Sequence, residues 1–528
     1  MRTDSRLVLL VRLAAVAVVV LVALRVAWIS DDALITLRTA LNITHGWGPG
    51  YNATEAVQGY THPLWFLLWV WIGSWTNQWI LGLFVVSAAL VGVTVALMVW
   101  RTSSIARIVV VTAFLLLSNA FIDYTTSGLE NPLSYGLVAV AVTMSLGLVR
   151  QPRAPVTIYV LLGLTGAAIL LTRLDLALLI AIPGLLMLWN VRTDGRRVLA
   201  VMTALVVPLA GWFMWSFFTY SALLANTFEA KTNVQIPQSE LVIQGFRYLW
   251  VSLEKDPVTL LGLVLGLGLG LFAGPAILRA WSLGATVYIG YVVWVGGDFM
   301  AGRFLSVPFV VAMFIVAASP AHLSRTSKTQ EFALPAAVGV AVLLLGISFL
   351  GGTASTALAN PSAPRWEVDQ NLNANVADER GVYVLNVRDL GSYVDSLSRP
   401  LDTAPFVPIG DGTDLNRPLR QLDYNAKNWP NGPENFDVPV EVGVFCGFLG
   451  TVGIVTGPAT HLIDECALTD RYLARRPYIS QGPYSWKMGH FVRDVPPGYV
   501  EAIAKNDASQ MKDPAEAFFL SELWRSIR

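Results

Sequence analysis

Two adjacent acids, Asp31 and Asp32, directly follow an apolar run over residues 8–28. Carboxylates at a membrane boundary are expensive to place and usually functional. Neighbouring residues on a helix do not share a face. One acid can therefore face a cavity, as a general base on an acceptor hydroxyl, while the other caps or pairs. The bland alternative is a helix N-cap and its neighbour. Arg38 and His62 lie in the same stretch, Trp28 to Trp65, and are candidate substrate ligands. Glu130 sits in the polar turn Thr125-Thr126-Ser127-Gly128-Leu129-Glu130-Asn131-Pro132. It either favours the start of the next helix electrostatically or directs charge into a site. Arg173 and Asp175 lie between two apolar runs with almost no loop, as an internal ion pair or as a guanidinium fork for phosphate with its acid. Lys231, Asp298 and Arg303 complete the candidate set. The cations are either surface anchors or, with Arg173, the ligands of a lipid-linked phosphate.

No pair among His45, His62, His322, His461 and His490 has the spacing of a zinc site. No metal ligand set is expected; the acids leave room for a divalent ion without demanding one. No Walker loop occurs and no Gly-rich dinucleotide turn follows a strand. The two cysteines, Cys446 and Cys466, suit one disulfide in an oxidising compartment or two buried thiols.

The elements that must position these residues follow from composition. Of 528 residues, 54% are hydrophobic and 14% charged, well below the roughly 25% charged of soluble proteins. Net charge is zero, so no polyanion or nucleic-acid partner is implied. The deficit lies in residues 7–350; residues 355–528 read as an ordinary soluble domain. We expect residues 1–352 to be a polytopic α-helical membrane region and 353–528 a mixed α/β domain. Apolar segments occur near 8–28, 79–100, 107–122, 132–149, 156–172, 174–190, 199–219, 258–278, 281–296, 304–319 and 333–350. Residues 64–75 are short and Trp-rich, which suits the interface. With eleven spans, Arg2, Arg6, Arg101, Arg107, Arg150, Arg153, Arg192, Arg196, Arg197, Arg279, Arg325 and Lys328 all fall on the cytoplasmic side. Counting 64–75 as a span reverses every later loop. The expected topology is a multi-pass plasma-membrane protein, N-terminus cytoplasmic, C-terminal domain extracytoplasmic. All the candidate site residues then share the outer face.

Within the C-terminal domain, 380–386, 440–447 and 451–456 read as strands, and 469–475 and 514–526 as helices. Trp366, Trp429, Trp486 and Trp524 read as core more readily than as a sugar-stacking face. Residues 262–274 form a glycine-spaced apolar helix suited to tight packing.

The pattern Trp28-x-x-Asp31-Asp32-x-x-Ile35-x-x-Arg38, followed by Gly46-Trp47-Gly48-Pro49 and Asn52, resembles the first outer loop of bacterial GT-C glycosyltransferases. Further matches, in the same order, are Thr126 to Asn131, Arg173, Ala230-Lys231 and Gly296-Gly297-Asp298-Phe299-Met300-x-Gly302-Arg303. The nearest group is the terminal arabinofuranosyltransferases of the mycobacterial cell wall; Ala301 stands where that group is expected to carry His. The resemblance implies a decaprenyl-phosphate or similar polyprenyl-phosphoryl arabinofuranose donor and an extracytoplasmic glycan acceptor such as the arabinan of arabinogalactan or lipoarabinomannan. It implies that Asp31 and Asp32 supply the base or steer the acceptor, that Glu130 shapes the sugar pocket, and that Arg173, Lys231 and Arg303 hold the phosphate. No cofactor is implied. It also implies a β-linked product from a β-linked donor. A single displacement with one carboxylate inverts, so a base role alone does not complete that mechanism. A polyprenyl-phosphate-mannose-dependent transferase and a lipid or polysaccharide transporter are the competing readings. A transporter would spread charge through mid-membrane and often shows internal repeats; the sequence shows neither.

Overall fold

The computed structural model describes residues 5–319, 339–346, 375–385, 389–398, 419–432, 441–480 and 486–525. Helices α1 (Ser5–Arg25), α2 (Asp31–Thr44), α3 (Pro63–Thr76), α4 (Leu81–Val99), α5 (Ile105–Leu117) and α6 (Asn119–Ile122) come first. They are followed by α7 (Asn131–Arg150), α8 (Val156–Thr172), α9 (Ala177–Asn190), α10 (Gly195–Tyr220), α11 (Asn226–Thr232) and strand β1 (Val234–Gln235). Next are α12 (Gln238–Lys255), α13 (Pro257–Ala273), α14 (Ala276–Trp294) and α15 (Ser306–Ala318). The remainder holds α16 (Glu379–Leu385), α17 (Leu390–Ser396), α18 (Leu419–Lys427), β2 (Glu441–Phe445), α19 (Leu449–Thr456) and β3 (Thr460–Asp464). It ends with α20 (Arg471–Ala474), β4 (Tyr478–Ile479), α21 (Tyr499–Lys505) and α22 (Pro514–Arg525).

The protein is a multi-pass membrane protein. Among the described residues, α1, α4, α7, α10 and α14 are long and apolar enough to cross a bilayer, and two bent pairs raise the count to seven. One pair is α5 with residues 119–125, bent by 73°, which breaks the expected span 107–122. Ser118 causes the break: its backbone is extended and its hydroxyl caps the helix that follows. The other pair is α12 with α13, bent by 107° at Asp256. Residues 64–75, expected at the interface, form α3. The last expected span, 333–350, lies mostly outside the described residues, as do His322, Arg325, Lys328 and Trp366.

Contacts divide the chain into two compact units. The first comprises Met1–Trp28, Phe84–Leu209 and Leu241–Val384. The second comprises Ile29–Leu83, Ala210–Glu240 and Leu385–Arg528.

In the first unit, α13 packs on α15 through the glycine spacing seen in the sequence. A Cβ at Gly266 would stand 2.6 Å from the Ala312 carbonyl oxygen, and one at Gly262 2.5 Å from the Phe309 ring. Small residues at i and i+4 let the two backbones approach. Trp28, fully buried, donates to the Asp123 carbonyl (2.7 Å) and stacks on Tyr383.

In the second unit, β2 and β3 pair in parallel, Glu441 with Thr460 through Phe445 with Asp464. Parallel neighbours need a crossover, and α19 is that crossover. The expected strand at 451–456 is therefore a helix, despite its β-branched composition. A short apolar run does not reveal its own period, and the parallel pairing decides it. The expected strand at 380–386, which belongs mostly to the first unit, is a helix over its described residues, α16. The expected helices at 469–475 and 514–526 contain α20 and α22. Cys446 and Cys466 form a disulfide, Cα–Cα 5.3 Å, closing the end of the parallel pair. Trp429 and Trp486 are buried, as core residues are.

Candidate active site

The candidate residues fall into two groups, one in each unit. In the first unit, Glu130, Arg173, Asp175, Asp298 and Arg303 form one buried network. Arg173 has an extended backbone (φ −154°, ψ 112°) at the break after α8. Residues two apart then lie on one side, so Asp175 meets its guanidinium twice: Nε to Oδ1 at 3.1 Å and Nη2 to Oδ2 at 2.6 Å. This is the internal ion pair, made bidentate. Tyr288 of α14 joins it, accepting from Arg173 Nη2 (2.9 Å) and donating to Asp175 Oδ2 (2.8 Å). Glu130, at the start of α7, takes the other side. Its carboxylate lies 3.7 Å from Arg173 Nη1 and accepts from Arg303 Nη2 at 3.2 and 3.3 Å. Asp298 lies 3.8 Å from Arg303 Nη1. Phe304 presents its ring to both guanidiniums, at 4.6 Å from Arg173 and 5.9 Å from Arg303.

The Gly-Gly-Asp segment shapes this end of the network. Gly297 and Gly302 take φ of +75° and +74°, where other residues are strained. A Cβ at Gly297 would also stand 2.6 Å from Tyr248 Cβ. Tyr248 in turn accepts from the Phe304 amide (3.2 Å). Two guanidiniums and three carboxylates leave one formal negative charge in excess. Arg173 Nη1 is buried, lies 3.7 Å from Glu130 and makes no hydrogen bond.

In the second unit, Ser30 caps α2 by accepting from the Ala33 amide, so Asp31 and Asp32 stand in the first turn. Their fates differ. Asp31 is buried, and its carboxylate binds the N-terminus of α19: Oδ2 accepts from the Gly450 amide (2.8 Å), Oδ1 from the Thr451 amide (2.8 Å) and hydroxyl (2.6 Å). This is the anion site that a strand–turn–helix makes for a phosphate, here filled by the chain's own carboxylate. Gly450 is required there, since a Cβ would collide with the Asp31 carbonyl oxygen. Asp32, about a third of a turn away, is only half-buried. Arg38, two turns on, is fully buried; it donates to the Thr460 carbonyl (2.6 Å) and lies over the Tyr51 ring (4.5 Å). Its Nε and Nη1 have no hydrogen-bond partner, and burial pushes its pKa down. Arg38 therefore ties α2 to β3 inside the core rather than facing a cavity. His62, before α3, is buried and shares a hydrogen bond with the Thr36 hydroxyl (2.9 Å). Lys231 is exposed on α11.

Buried carboxylates in the second unit lean on backbone in the same way. Asp464 accepts from the Cys466 and Thr469 amides at 2.9 Å each. Burial nevertheless pushes its pKa up to about 6. Asp470 caps α20 and accepts from Tyr499; burial raises its pKa also. Among the described residues, no cluster of three or more His, Cys, Asp or Glu can hold a metal. Sequence reasoning missed Tyr288, Tyr248 and Thr451. A tyrosine inside the apolar run of α14 was the available signal for the first; Thr451 gave none.

The chain is 27% identical over 503 residues to the terminal β-(1→2)-arabinofuranosyltransferase of Mycobacterium tuberculosis, covering 84% of this chain and 78% of that protein. It resembles a terminal arabinofuranosyltransferase. The protein of the same name from Corynebacterium glutamicum is also 27% identical, over 348 residues, 56% of this chain and 48% of that one. Among solved structures, ArnT from Cupriavidus metallidurans bound to undecaprenyl phosphate aligns with a TM-score of 0.44 and 15% identity, over 86% of this chain and 77% of that one. No family model matches the chain.

Proposed function

We propose that this chain moves an arabinofuranosyl residue from a polyprenyl-phosphate donor to a hydroxyl of an extracytoplasmic glycan. In reaction class it is a membrane glycosyltransferase. The observation that carries this reading is the similarity to the mycobacterial enzyme across 84% of the chain. The proposed topology has eleven spans, a cytoplasmic N-terminus and residues 353–528 outside. The Cys446–Cys466 disulfide supports an oxidising location for that part.

Asp32, half-buried beside a carboxylate already committed to backbone, accepts the proton of the acceptor hydroxyl as its oxygen attacks the anomeric carbon. Asp31 holds the first turn of α2 in place and is a positioning residue. Arg173, with one buried guanidinium nitrogen lacking a hydrogen bond, is the group best prepared to take a donor phosphate oxygen. Arg303 adds positive charge for the leaving phosphate; Lys231 is a separate, exposed cation of the second unit. Glu130 and Asp298 orient Arg303, and Asp175 orients Arg173.

Purified protein, supplied with synthetic polyprenyl-phosphoryl arabinofuranose and a short arabinan, is expected to transfer arabinose. Polyprenyl-phosphoryl mannose is the control donor. Mannose transfer instead overturns the sugar assignment, and transfer from neither overturns the reading.

A further inference from the structure

The second unit contains a cavity of about 470 Å³ beside the last turn of α10. One wall is apolar: Phe217, Leu223, Leu224 and Phe228. Phe217, Leu223 and Phe228 are each more than half exposed. A lipid-facing surface ends where its span ends, yet here it continues past Tyr220 along the loop and onto α11. The other end of the cavity carries Arg471 and Arg475. Arg471 is buried and held by backbone, Nη1 donating to the Tyr220 carbonyl at 2.7 Å. Arg475 is a quarter exposed, donates to the Arg471 carbonyl (3.2 Å), and meets Glu229 as a counter-charge, at 3.5 Å. Glu55 is the other carboxylate near Arg471. Burial, and then Asp470, raise its pKa well above the usual range. An apolar wall continuous with a spanning helix, ending at two arginines, matches an acyl chain joined to a phosphate.

We propose that this cavity binds an anionic phospholipid of the bilayer, its phosphodiester at Arg471 and Arg475 and an acyl chain along Phe217, Leu223 and Phe228. The residues are separate from those assigned to the donor, and binding is read independently of sugar transfer. The test is native mass spectrometry of the full chain in neutral detergent. It is titrated separately with phosphatidylglycerol, phosphatidylcholine, undecaprenyl phosphate and inorganic phosphate. Phosphatidylglycerol is expected to be retained over phosphatidylcholine. Arg475→Gln, at a quarter-exposed position, and Phe228→Ser, at an exposed one, each with unchanged melting temperature, should weaken retention by about tenfold, the scale of one lost charge-assisted or buried apolar contact. Equal retention of the two phospholipids, or retention unaffected by both substitutions, overturns the proposal. So does binding of undecaprenyl phosphate alone, which makes this a carrier-lipid site, or competition by inorganic phosphate, which makes it a simple anion site.

Discussion

The two units solve the same problem, a charge removed from water, in opposite ways. In the first, Arg173 and Arg303 meet carboxylates: Asp175, Glu130 and Asp298. In the second, the buried ions around the candidate residues meet backbone, although Asp423 elsewhere in that unit pairs with Lys427 at 2.7 Å. Arg38 rests on the Thr460 carbonyl, Arg471 on Tyr220 and Arg493 on Ala230. Asp31 and Asp464 rest on amides. The first arrangement is a set of paired charges that one incoming anion can rearrange. The second is a set of ties between distant segments, and moving one of its charges loosens the chain. The proposed phosphate ligands, Arg173 and Arg303, are of the first kind, and the proposed base, Asp32, stands beside a carboxylate of the second.

That contrast breaks most visibly at Glu130. Glu130→Gln leaves two buried guanidiniums without their shared carboxylate, and the expected cost is about 3 kcal/mol, read as a fall in melting temperature in detergent. Adding Arg303→Met should recover part of it; no recovery would mean that Glu130 acts alone. Asp31→Ala is next. It strands the Gly450 and Thr451 amides, at about 2 kcal/mol by the same readout, whereas Asp32→Ala should leave the melting temperature near wild type. Equal losses at the two positions would remove the distinction between them.

The third effect depends on pH. His461 is buried in the second unit, bonded to the Thr54 hydroxyl at 2.6 Å. Burial first, and Arg38 second, push its pKa down to about 3. The unfolded value is near 6.5, so the unfolded chain binds the extra proton between those limits. The stability from neutral His461 is full above about 6.5 and is lost as pH falls toward 3. On going from pH 7 to pH 5 the melting temperature of wild type should lose ground relative to that of His461→Gln, since the raised pKa values of Asp464 and Asp470 act the same way in both; parallel slopes would contradict this. The smallest effect is at Arg38. Its charge is buried with two nitrogens unpartnered, so Arg38→Met should change stability by about 1 kcal/mol or less. A loss on the scale of Glu130→Gln would show that Arg38 is paired like the first unit's arginines.

How far the sequence reached depended on the range of each interaction. The Arg173–Asp175 pair is two residues apart and was readable as an ion pair, as was the glycine spacing of α13. The first turn of α2 was readable as one acid facing a cavity and the other capping or pairing, though the cap itself is Ser30. Which acid does which was not, because the partner amides lie 419 and 420 residues along the chain. The bond of Arg38 to the Thr460 carbonyl was out of reach for the same reason: Thr460 is 422 residues away. The run at 451–456 misled because its β-branched residues satisfy a strand's local preference. The parallel pairing of β2 with β3, which requires a crossover between them, overrides it.

The most direct test compares Asp31→Asn and Asp32→Asn for arabinofuranosyl transfer, each with its melting temperature. Asp32→Asn should keep the wild-type melting temperature and lose transfer by about 100-fold or more, the scale of a missing general base. Asp31→Asn should lose stability and transfer together, with transfer partly restored at lower temperature. If Asp32→Asn transfers at the wild-type rate while Asp31→Asn is stable and inactive, the roles assigned here to the two acids are reversed.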